Sequence, residues 1–474
     1  MPDLPRAAVA QLVERQLPKL NVAGSIPVSR SNFFFLVYPD QVADMKSHPR
    51  QKILRGGVIA LVSSLEVVLL GGCRAQAPDL ERYPPIDWPS RPPADCPFEP
   101  SEDIVGVTFT GRHREYVHAD CWFPSWASDG NMYSPFSDGT VEIVLPDGSR
   151  EQLLTLGQEG ADANCGYGKI VGDDPLNLTV IGLGVLPTPT GPYEARYPSG
   201  SLVHEGIWYY GSHPEGPGGL GPLVGFRVSR DLGKTWTDGP NDPTAPLFAA
   251  PSLDDEGQPT GIPVRIGEPF FVDFGRNMEH SPDGKAYLVA HGATARDPDP
   301  LARRAHWNMG DEAYLLRVTP SPETINDASE YEFFAGHDED GQPIWTGERA
   351  AMKPLIEWKG RVGPTSITYN PYLERYLFCV TDGSANHGAY DTYILESPNI
   401  TGPWKLAVYM EHFGEEGYFV NIPSKFIGED GRTAWLCYAA NFSVGMPDPP
   451  PLESNPPGSR YGMNLQEIRL RAKD

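Results

Sequence analysis

The sequence feature that most constrains the fold is a hairpin pattern that recurs five times. In each copy an apolar strand begins near a Pro, turns at an Asp or Gly, and returns as a strand rich in Tyr, Leu and Trp. A single hairpin cannot bury both of its faces, so repeated hairpins become stable only by packing against one another. The five copies span residues 122–136, 197–211, 270–291, 363–380 and 421–440.

A third strand follows each hairpin after a loop, and the units recur at intervals of about 70 residues. No stretch shows sustained helical periodicity. The 50 Gly and 50 Pro suit many turns, and the 10 Trp provide large side chains for a core. We therefore predict an all-β chain folded as a five-bladed β-propeller, with a β-sandwich or two all-β domains as the alternatives. The predicted third strands are TVEIVL, LVGFRVSRD, AYLLRVT, TYILES and LQEIRL.

The charge of the chain argues against a general nucleic-acid-binding protein. With 38 basic and 62 acidic side chains, its net charge of −24 repels phosphate. Among the 6 Cys, Cys121 and Cys165 form the one plausible disulfide, whereas Cys379 and Cys437 lie in apolar strands typical of buried thiols. Because no CxxC or HxxxH pair is present, we expect no structural zinc site.

The first 44 residues are not expected to belong to the folded protein. Residues 7–31, AAVAQLVERQLPKLNVAGSIPVSRS, resemble the peptide obtained when a transfer-RNA gene is translated as protein. A genuine short amphipathic helix is the alternative. We therefore interpret residues 1–44 as spurious upstream translation and Met45 as the start of the protein.

Residues 45–72 have the layout of a signal peptide, with a basic segment followed by the apolar run 56–72. The run ends Leu-Gly-Gly-Cys73, which resembles the lipobox of bacterial lipoproteins, in which the Cys carries lipid. The alternatives are a secretory signal cut after Ala75 or Ala77 and an N-terminal transmembrane anchor. We expect an exported protein that is lipid-anchored at the cell envelope, in the periplasm or on the cell surface, or is otherwise secreted.

Removal of residues 1–73 leaves 30 basic and 57 acidic side chains, so the remaining chain carries a net charge of −27. Residues 73–103 are rich in Pro and are interpreted as a tether or strap. Residues 104–474 are interpreted as the propeller and as the catalytic domain.

Residues 229–236, SRDLGKTW, fit the Asp-box SxDxGxTW that is found in sialidases and other propellers. Its Asp and Gly build a turn and its Trp packs between strands, so we interpret this motif as structural. Residues 397–404, SPNITGPW, are a degenerate copy at the corresponding point of the fourth repeat, which supports the alignment of the repeats.

The candidate site lies where the inner strands of the blades begin. In a propeller the first strand of each blade lines the axis, and the loops that enter it open on the same face as the loops between the second and third strands. Those second-to-third loops are long here and the first-to-second turns are short, which predicts a walled pocket on one face. The long loops span residues 212–222, 292–310, 382–390 and 442–461.

Alignment of the repeats on their Pro places Asp120, Glu194 and Asp273 at the entrance of three inner strands. Converging carboxylates suit acid/base chemistry on a glycosidic bond, where one acts as base or nucleophile and another donates a proton. A third charge nearby holds the pKa of the donor up. We predict these three as catalytic, and the competing carboxylates are Glu268, Asp311, Glu416 and Asp391.

Other side chains near the same face are candidates for binding the substrate. A His can donate a proton or act as the base of an eliminase. A Trp can stack on a sugar ring, although Trp122 suits core packing between blades equally well, and an Arg can neutralise a uronate. The predicted substrate-binding set is His118, Trp122, Arg196, His306, Trp307, Asp311, Arg361 and Glu416.

The segments GPTSITYNPYLERYLFCV and YDTYILESPNITGPWKL resemble the five-bladed glycoside hydrolases. That group includes the arabinanase and xylosidase family, the neoagaro-oligosaccharide hydrolases and a group with bacterial endo-D-arabinanases, and the likeness covers residues 104–470. It implies an inverting or retaining glycosidase with Asp120 as the carboxylate of the first blade. In the arabinanase family a Pro follows this Asp, whereas here Cys121 follows it.

We therefore predict an exported glycoside hydrolase that acts on a poly- or oligosaccharide, needs no cofactor and works as a monomer. The membrane is contacted only through the N-terminal lipid. Five-bladed sugar enzymes often hold an ion in the axial channel, so the resemblance implies that an axial calcium ion can bind. Two alternatives stay open, a polysaccharide lyase acting on a uronate polymer and a non-catalytic carbohydrate-binding propeller.

Overall fold

The computed structural model describes most of the chain beyond residue 81, and all side-chain contacts discussed below lie in one compact unit, residues 61–444 with 448–474. The second unit comprises residues 1–60 and 445–447. The segment interpreted as spurious translation, the segment interpreted as a signal peptide and Cys73 all lie outside the described residues. The described residues are 82–145, 147–155, 163–193, 195–216, 219–251, 254–256, 260, 264–294, 304–383, 390–445 and 455–473.

Five antiparallel sheets follow one another along the chain, and they form the five blades of a β-propeller. This confirms the predicted fold class. The N-terminal strands are β1 (Ile86–Asp87) and β2 (Val107–Glu115). The first blade consists of β3 (His118–Asp120), β4 (Ser125–Trp126), β5 (Met132–Val144), β6 (Arg150–Thr155), β7 (Asn164–Val171) and β8 (Thr179–Pro187).

The next three blades each begin with an inner strand and add strands outward. The second blade contains β9 (Ala195–His204), β10 (Ile207–Gly216), β11 (Gly219–Leu220) and β12 (Gly225–Ser229). The third contains β13 (Val264–Phe271), β14 (Ala286–Thr294), β15 (Glu312–Val318), β16 (Glu332–His337), β17 (Pro343–Thr346) and β18 (Ile356–Glu357). The fourth contains β19 (Thr365–Asn370), β20 (Arg375–Asp382), β21 (Asp391–Ser397) and β22 (Lys405–Met410).

The fifth blade closes the ring with strands from both ends of the described chain. It contains β23 (Tyr418–Asn421), β24 (Thr433–Ala439) and β25 (Asn464–Leu470), and β2 pairs antiparallel with β25. This pairing joins the first strands to the last blade and so removes an open sheet edge. The short 3-10 helices of the described residues are Arg276–Met278, Ala328–Glu330, Arg349–Ala351, Ser424–Phe426 and Phe442–Gly445.

The Pro-rich segment before β2 lies along the outer edges of two blades. β1 pairs with β2, and isolated bridges join Ser90 to Met410 and Pro100 to Leu406 of the fourth blade. Residues 82–103 are therefore a strap across the fifth and fourth blades.

One predicted strand is wrong in its position. TVEIVL does not form a third strand of the first blade, because it is the continuation of the long second strand β5. The third strand there is β7, which pairs with β5 from Met132↔Ile170 to Phe136↔Gly166. The other four predicted third strands coincide with β12, β15, β21 and β25.

The core lies between neighbouring blades, as radial packing requires. Trp122 of the first blade and Trp435 of the fifth share one buried cluster. Tyr167 of the first blade and Trp208 of the second share another. Burial of such large aromatic surfaces is the main favourable term in the stability of the ring.

The Asp-box is structural, as predicted. The Asp231 carboxylate accepts from the Thr235 N–H at 2.8 Å and from its hydroxyl at 2.7 Å, and the Gly233 N–H donates to Ser229 Oγ at 2.8 Å. The Trp236 ring lies 5.2 Å from both Tyr167 and Trp208, so the motif joins the first two blades.

Two of the cysteine predictions are confirmed and one is wrong. Cys379 and Cys437 are buried free thiols, as expected. Cys121 and Cys165 are also free, so the predicted disulfide is wrong. Cys165 is buried inside the first blade, where its Sγ lies 3.6 Å from Thr188 Oγ1. Among the described residues no helix is long and apolar enough to cross a membrane.

Candidate active site

The inner strands β3/β4, β9, β13, β19 and β23 surround a common axis. A cavity on this axis is lined by residues from all five blades, for example Ser125, Ser201, Asp273, Thr368 and Asn421. Parallel main-chain bonds between Asp273 and the fourth blade show that neighbouring inner strands run in the same direction. The starts of these strands therefore share one face, which we call the entry face.

Asp120 ends β3 near the entry face and is buried, with 7% of its surface exposed. The Tyr418 hydroxyl donates to Asp120 Oδ2 at 2.7 Å. Tyr461 lies 3.3 Å from the same oxygen but donates its one hydroxyl hydrogen over the shorter distance of 2.7 Å to the Asp138 carbonyl. Asp120 Oδ1 has no hydrogen-bond partner in the described part of the chain.

Burial raises the pKa of Asp120 to about 6, and the hydrogen bond from Tyr418 opposes that rise. A carboxyl group with this pKa exchanges its proton near neutral pH, which is the property that general acid/base chemistry requires. Asp120 therefore combines one fixed oxygen with one oxygen that is free to act.

Glu268, in the inner strand β13, is fully buried between two histidines from neighbouring second strands. Its Oε1 lies 3.7 Å from His213 Nε2, and its Oε2 lies 3.9 Å from His291 Nδ1. Burial raises the pKa of Glu268 well above its usual range, and the charges of Glu215 and Asp120 add to the rise. The surroundings of Glu268 therefore favour its protonated form.

The two histidines beside Glu268 are neutral as well. Burial lowers the pKa of His213 to about 3 and that of His291 to about 4. The Nε2–H of His291 donates to the carbonyl oxygen of His306 at 2.8 Å, which leaves His291 Nδ1 as an acceptor.

Glu215 approaches the entry face at the end of β10, because β10 runs antiparallel to the inner strand β9. Its side chain is 13% exposed, and its Oε1 lies 3.6 Å from His306 Nδ1. The Trp307 N–H donates to the same oxygen at 3.1 Å. The half-buried Trp307 ring lies 5.5 Å from Tyr418, so an aromatic surface adjoins both Glu215 and the Tyr418–Asp120 pair.

An aromatic plug divides the axis. Phe123 stacks on Phe270 with ring centroids 3.8 Å apart, and Phe419 meets Phe123 edge-on at 5.4 Å. Asp120 precedes Phe123 by three residues at the end of β3, and Asp273 follows Phe270 by three residues, just after β13 ends. Because the inner segments of the blades run in the same direction, Asp120 and Asp273 lie on opposite sides of these rings.

Asp273 lies in the axial cavity beyond the plug, and the structure does not bring it together with Asp120. Its carboxylate accepts from the Ser424 N–H and hydroxyl, both at 2.7 Å, and from the Gly275 N–H at 3.0 Å. These bonds tie the third blade to the fifth. Glu194, the third predicted catalytic residue, lies outside the described residues.

Two predicted substrate-binding residues are buried away from the entry face. Trp122 is 1% exposed, stacks on Phe136 at 5.1 Å and packs in the core between the first and fifth blades. Arg196 is 1% exposed and donates to Ser212 Oγ, Pro189 O and Asn241 O. A ring or guanidinium in these positions cannot reach a sugar, so both predictions are wrong.

Four further candidates make structural contacts elsewhere. Asp311 pairs with Arg304 and accepts from the Gly360 N–H at 2.9 Å. Arg361 pairs with Asp382 at 2.7 Å on the fourth blade, where Tyr409 links Asp382 to Asp391.

Glu416 is fully buried and accepts from the Ser443 N–H at 2.8 Å, which fixes the turn Phe442–Gly445. None of these contacts joins the group around Asp120. His118 is exposed at the entry face, with its ring 4.9 Å from that of Tyr461, and of the predicted binding residues it lies near the site together with His306 and Trp307.

Sequence reasoning missed Glu215, His213, His291 and Tyr418. A signal was present, because two consecutive blades carry a His near the end of their apolar second strand, in WYYGSH and in YLVAH. Each of these histidines lies opposite a residue of the inner strand of its own blade, since His213 pairs with Tyr197 and His291 with Glu268. A His near the end of the apolar second strand of successive repeats was therefore a signal for the axis.

An axial calcium ion is what the resemblance allows, not what the sequence predicts. Among the described residues no group of three or more His, Cys, Asp and Glu side chains is arranged to hold a metal ion.

Comparison with known proteins finds no matching family model and no matching curated protein. Solved structures similar to this chain include a GH43 enzyme from Xanthomonas citri complexed with xylotriose (14% identity, 75% of this chain, 87% of that chain, TM-score 0.39). A family 117 glycoside hydrolase produced by the marine bacterium Zobellia galactanivorans has 12% identity over 76% of this chain and 92% of that chain, with a TM-score of 0.39.

The catalytic domain of the Coprinopsis cinerea GH62 α-L-arabinofuranosidase has 10% identity, covering 83% of this chain and 98% of that chain, with a TM-score of 0.37. These structures belong to the group of glycoside hydrolases that the sequence resembles.

Proposed function

We propose that this protein is a glycoside hydrolase with its active site at the entry face. The observation that carries the proposal is the clustering of Asp120, Glu215 and Glu268 from three different blades. The charges of Glu215 and Asp120 add to the rise in the pKa of Glu268, and the N–H of the half-buried Trp307 donates to Glu215. Hydrolysis of a glycosidic bond needs two carboxyl groups in opposite roles, and a third carboxyl nearby keeps them from ionising together.

Asp120 is proposed as the base or nucleophile. One of its oxygens is fixed by Tyr418 and the other has no partner within the described chain, so the free oxygen is the one that can meet a water or a sugar carbon. Its pKa of about 6 makes it ionised at neutral pH, as this role requires.

Glu215 is proposed as the proton donor. It is the most exposed of the three carboxyl groups, and the Trp307 N–H fixes one of its oxygens at 3.1 Å. Trp307 supplies an aromatic face next to that oxygen, and such a face suits the C–H side of a sugar ring. The substrate is proposed to be a poly- or oligosaccharide.

The test is a panel of plant, algal and bacterial polysaccharides assayed for new reducing ends and for unsaturated products. We expect reducing ends without unsaturated products, and a loss of at least about 1,000-fold in kcat for both Asp120→Asn and Glu215→Gln. Asp340→Asn and Glu348→Gln are matched controls at exposed positions and should keep the wild-type rate. Unsaturated products, or binding of a glycan without turnover by the wild type, would overturn the proposal.

Export is proposed on the signal-like segment 45–72 and Cys73. In a bacterial host the chain that begins at Met45 should incorporate labelled palmitate and fractionate with the envelope, whereas Cys73→Ala should lose the label. A cytoplasmic, unlabelled wild-type protein would contradict this. Released from the lipid, the propeller is proposed to be a monomer, which light scattering measures.

A further inference from the structure

The turn between His306 and Met309 belongs to the third blade and contacts three other blades. It lies in the loop between β14 and β15 and is closed by two main-chain hydrogen bonds. The His306 N–H donates to Met309 O at 2.8 Å, and the Met309 N–H donates to His306 O at 3.2 Å. Trp307 and Asn308 lie at its tip. We call residues 306–309 the tip turn.

The backbone of the tip turn is hydrogen-bonded to the second and third blades. From the second blade, Glu215 Oε1 accepts from the Trp307 N–H at 3.1 Å. In the same blade the Leu220 N–H donates at 2.9 Å to Ala305 O, one residue before the turn. From the third blade, His291 Nε2 donates at 2.8 Å to the carbonyl oxygen of the first turn residue. These bonds fix the direction in which the Trp307 N–H points.

The fourth blade holds the tip turn at Asn308. The Asn308 side chain donates from Nδ2 to the Tyr390 hydroxyl at 2.9 Å. Asn308 O lies so close to two glycines that a Cβ built on Gly363 or on Gly383 would be 2.3 Å from it. For Gly383 the three nearest atoms to such a Cβ all belong to Asn308. Glycine at position 383 therefore leaves the space that Asn308 occupies.

The Trp307 ring contacts the fifth blade. Its centroid lies 5.5 Å from that of Tyr418 with the ring planes at 71°, and 5.6 Å from that of Phe442 with the planes at 87°. Edge-on contacts of this kind are favourable between aromatic rings. The Trp307 side chain is half-buried, so part of it stays exposed beside Glu215. Contacts with four blades therefore fix the tip turn at the entry face.

We propose that Asn308 is a positioning residue, which holds the tip turn on the fourth blade so that the Trp307 ring and N–H lie beside Glu215 before a glycan binds. This rests on the proposed roles of Glu215 as proton donor and of Trp307 as a surface for the sugar. A site that is already ordered loses less freedom when its ligand binds. Asn308 and Gly383 therefore influence binding and turnover through Trp307 and Glu215.

The first test adds a single Cβ at Gly383. Gly383→Ala should displace Asn308 from the fourth blade and lower kcat/KM by about 10- to 100-fold, because a displacement of about 1 Å near a catalytic group costs up to that much. Gly347→Ala is the matched control, since a Cβ at this glycine meets no atom within 4 Å, and it should keep the wild-type rate.

The second test separates the Trp307 ring from the position of the turn. Trp307→Ala keeps the backbone N–H, so it should raise KM about tenfold and leave kcat within about threefold of wild type. Asn308→Ala loses the bond to Tyr390 and should change both constants, raising KM and lowering kcat by about three- to tenfold each. Asn308→Asp, whose carboxylate can accept from the Tyr390 hydroxyl, should recover most of this loss. Asn399→Ala, at an exposed position, is the control.

The third test observes the tip turn without a substrate. In protein labelled with 5-fluorotryptophan, the ¹⁹F line of Trp307, assigned through its loss in Trp307→Phe, should be single and narrow in wild type and in Gly347→Ala. In Gly383→Ala and Asn308→Ala it should shift or broaden while the lines of the other Trp residues keep their positions.

The results distinguish failure of the positioning role from failure of the proposed function. An unchanged Trp307 line in Gly383→Ala, with unchanged kcat/KM, would overturn the positioning role. A shifted line with wild-type kcat/KM would overturn it too, because the turn would then lie outside the working site. If Asp120→Asn and Glu215→Gln both keep the wild-type rate, the proposed function fails, while the Trp307 line still tests whether Asn308 and Gly383 hold the turn.

Discussion

The two sides of the phenylalanine plug hold buried carboxyl groups of opposite character. At the entry face, Asp120 Oδ1 and both oxygens of Glu268 have no hydrogen-bond partner among the described residues. Beyond the plug, Asp273 accepts three hydrogen bonds within 3.0 Å. Burial raises the pKa of both Asp120 and Asp273, so burial alone does not distinguish them.

The two sides differ in whether the oxygen atoms of their buried carboxyl groups accept hydrogen bonds. A buried polar atom without a partner costs about 1–3 kcal/mol, so a chain retains several of them in one place only where they serve a purpose other than stability. Asp273 stabilises the fold, whereas the carboxyl groups at the entry face cost stability and are available for chemistry.

The largest expected effect comes from exchanging each Asp for Asn. Asp120→Asn should lower kcat by at least about 1,000-fold and leave the protein folded. Asp273→Asn should lower the free energy of unfolding by roughly 2–4 kcal/mol, because bonds to a charged acceptor from Ser424 and Gly275 are weakened, and should leave kcat unchanged. Thermal unfolding and initial rates on the same preparations measure both.

The reverse pattern, in which Asp273→Asn loses turnover at full stability, would mean that the plug does not separate structure from function. Asp340→Asn serves as the control for the substitution itself, because that side chain is exposed.

Removal of the plug should affect both sides. Phe270 is 1% exposed and stacks on Phe123, so Phe270→Ala should cost about 3–5 kcal/mol of stability through lost burial and a cavity. Because the cavity adjoins Asp120, water should enter and the pKa of Asp120 should fall toward its usual value. Urea unfolding measures the first effect and the pH profile of kcat the second. A cost below 1 kcal/mol would show that the plug does not support the ring.

Because the pKa of Asp120 is raised in the native protein, the stability of the protein should depend on pH. In the unfolded chain the group has its ordinary value of 3.8, and in the native protein it is about 6. Between about pH 4 and pH 6 the native state holds a proton that the unfolded state has lost, so stability falls as pH rises through this window. The total fall is about 3 kcal/mol, from 1.36 kcal/mol for each pH unit between the two values.

Below pH 4 both states are protonated and above pH 6 both are ionised, so this contribution is flat outside the window. Asp120→Asn cannot ionise and should therefore be more stable than wild type at pH 7.5 and lack this fall. Activity should change in the opposite sense, rising with pH through about 6, since the proposed base must be ionised. Equal stability of wild type and Asp120→Asn at pH 7.5 would contradict the assignment.

The fold could be predicted from the sequence because the hairpin pattern that determines it occurs five times. Five copies of one hairpin each carry the same local information, so errors at single strands, such as TVEIVL, do not change the architecture. The closure of the ring by β2 could not be read from the repeats, because this strand precedes the first copy and pairs with the last blade across the whole chain.

The site could be predicted only where it coincides with an inner strand. Asp120, the proposed base or nucleophile, was a candidate because it opens the first repeat, whereas Glu215, the proposed proton donor, ends a second strand and was outside that alignment. Asp273 was assigned to the wrong side because an offset of a few residues along an inner strand carries a side chain past the plug. The alignment identified which strands reach the axis but not the depth at which each side chain sits.

The smallest expected effect compares the two tyrosines beside Asp120. The Tyr418 hydroxyl donates to Asp120 Oδ2 at 2.7 Å, and this bond stabilises the ionised form. Tyr418→Phe should therefore raise the pKa of Asp120 further and move the acidic limb of the kcat profile up by about 0.7 pH unit, since one such bond is worth about 1 kcal/mol.

Tyr461 gives its hydrogen to the Asp138 carbonyl at 2.7 Å and lies 3.3 Å from Asp120. Tyr461→Phe should therefore move the acidic limb by no more than a few tenths of a pH unit, because little stabilisation of the carboxylate is lost. Profiles of the two variants, measured side by side with wild type, make the comparison. If both variants shift the limb equally, the two hydroxyls share Asp120, and the idea that one of its oxygens is fixed by Tyr418 alone is wrong.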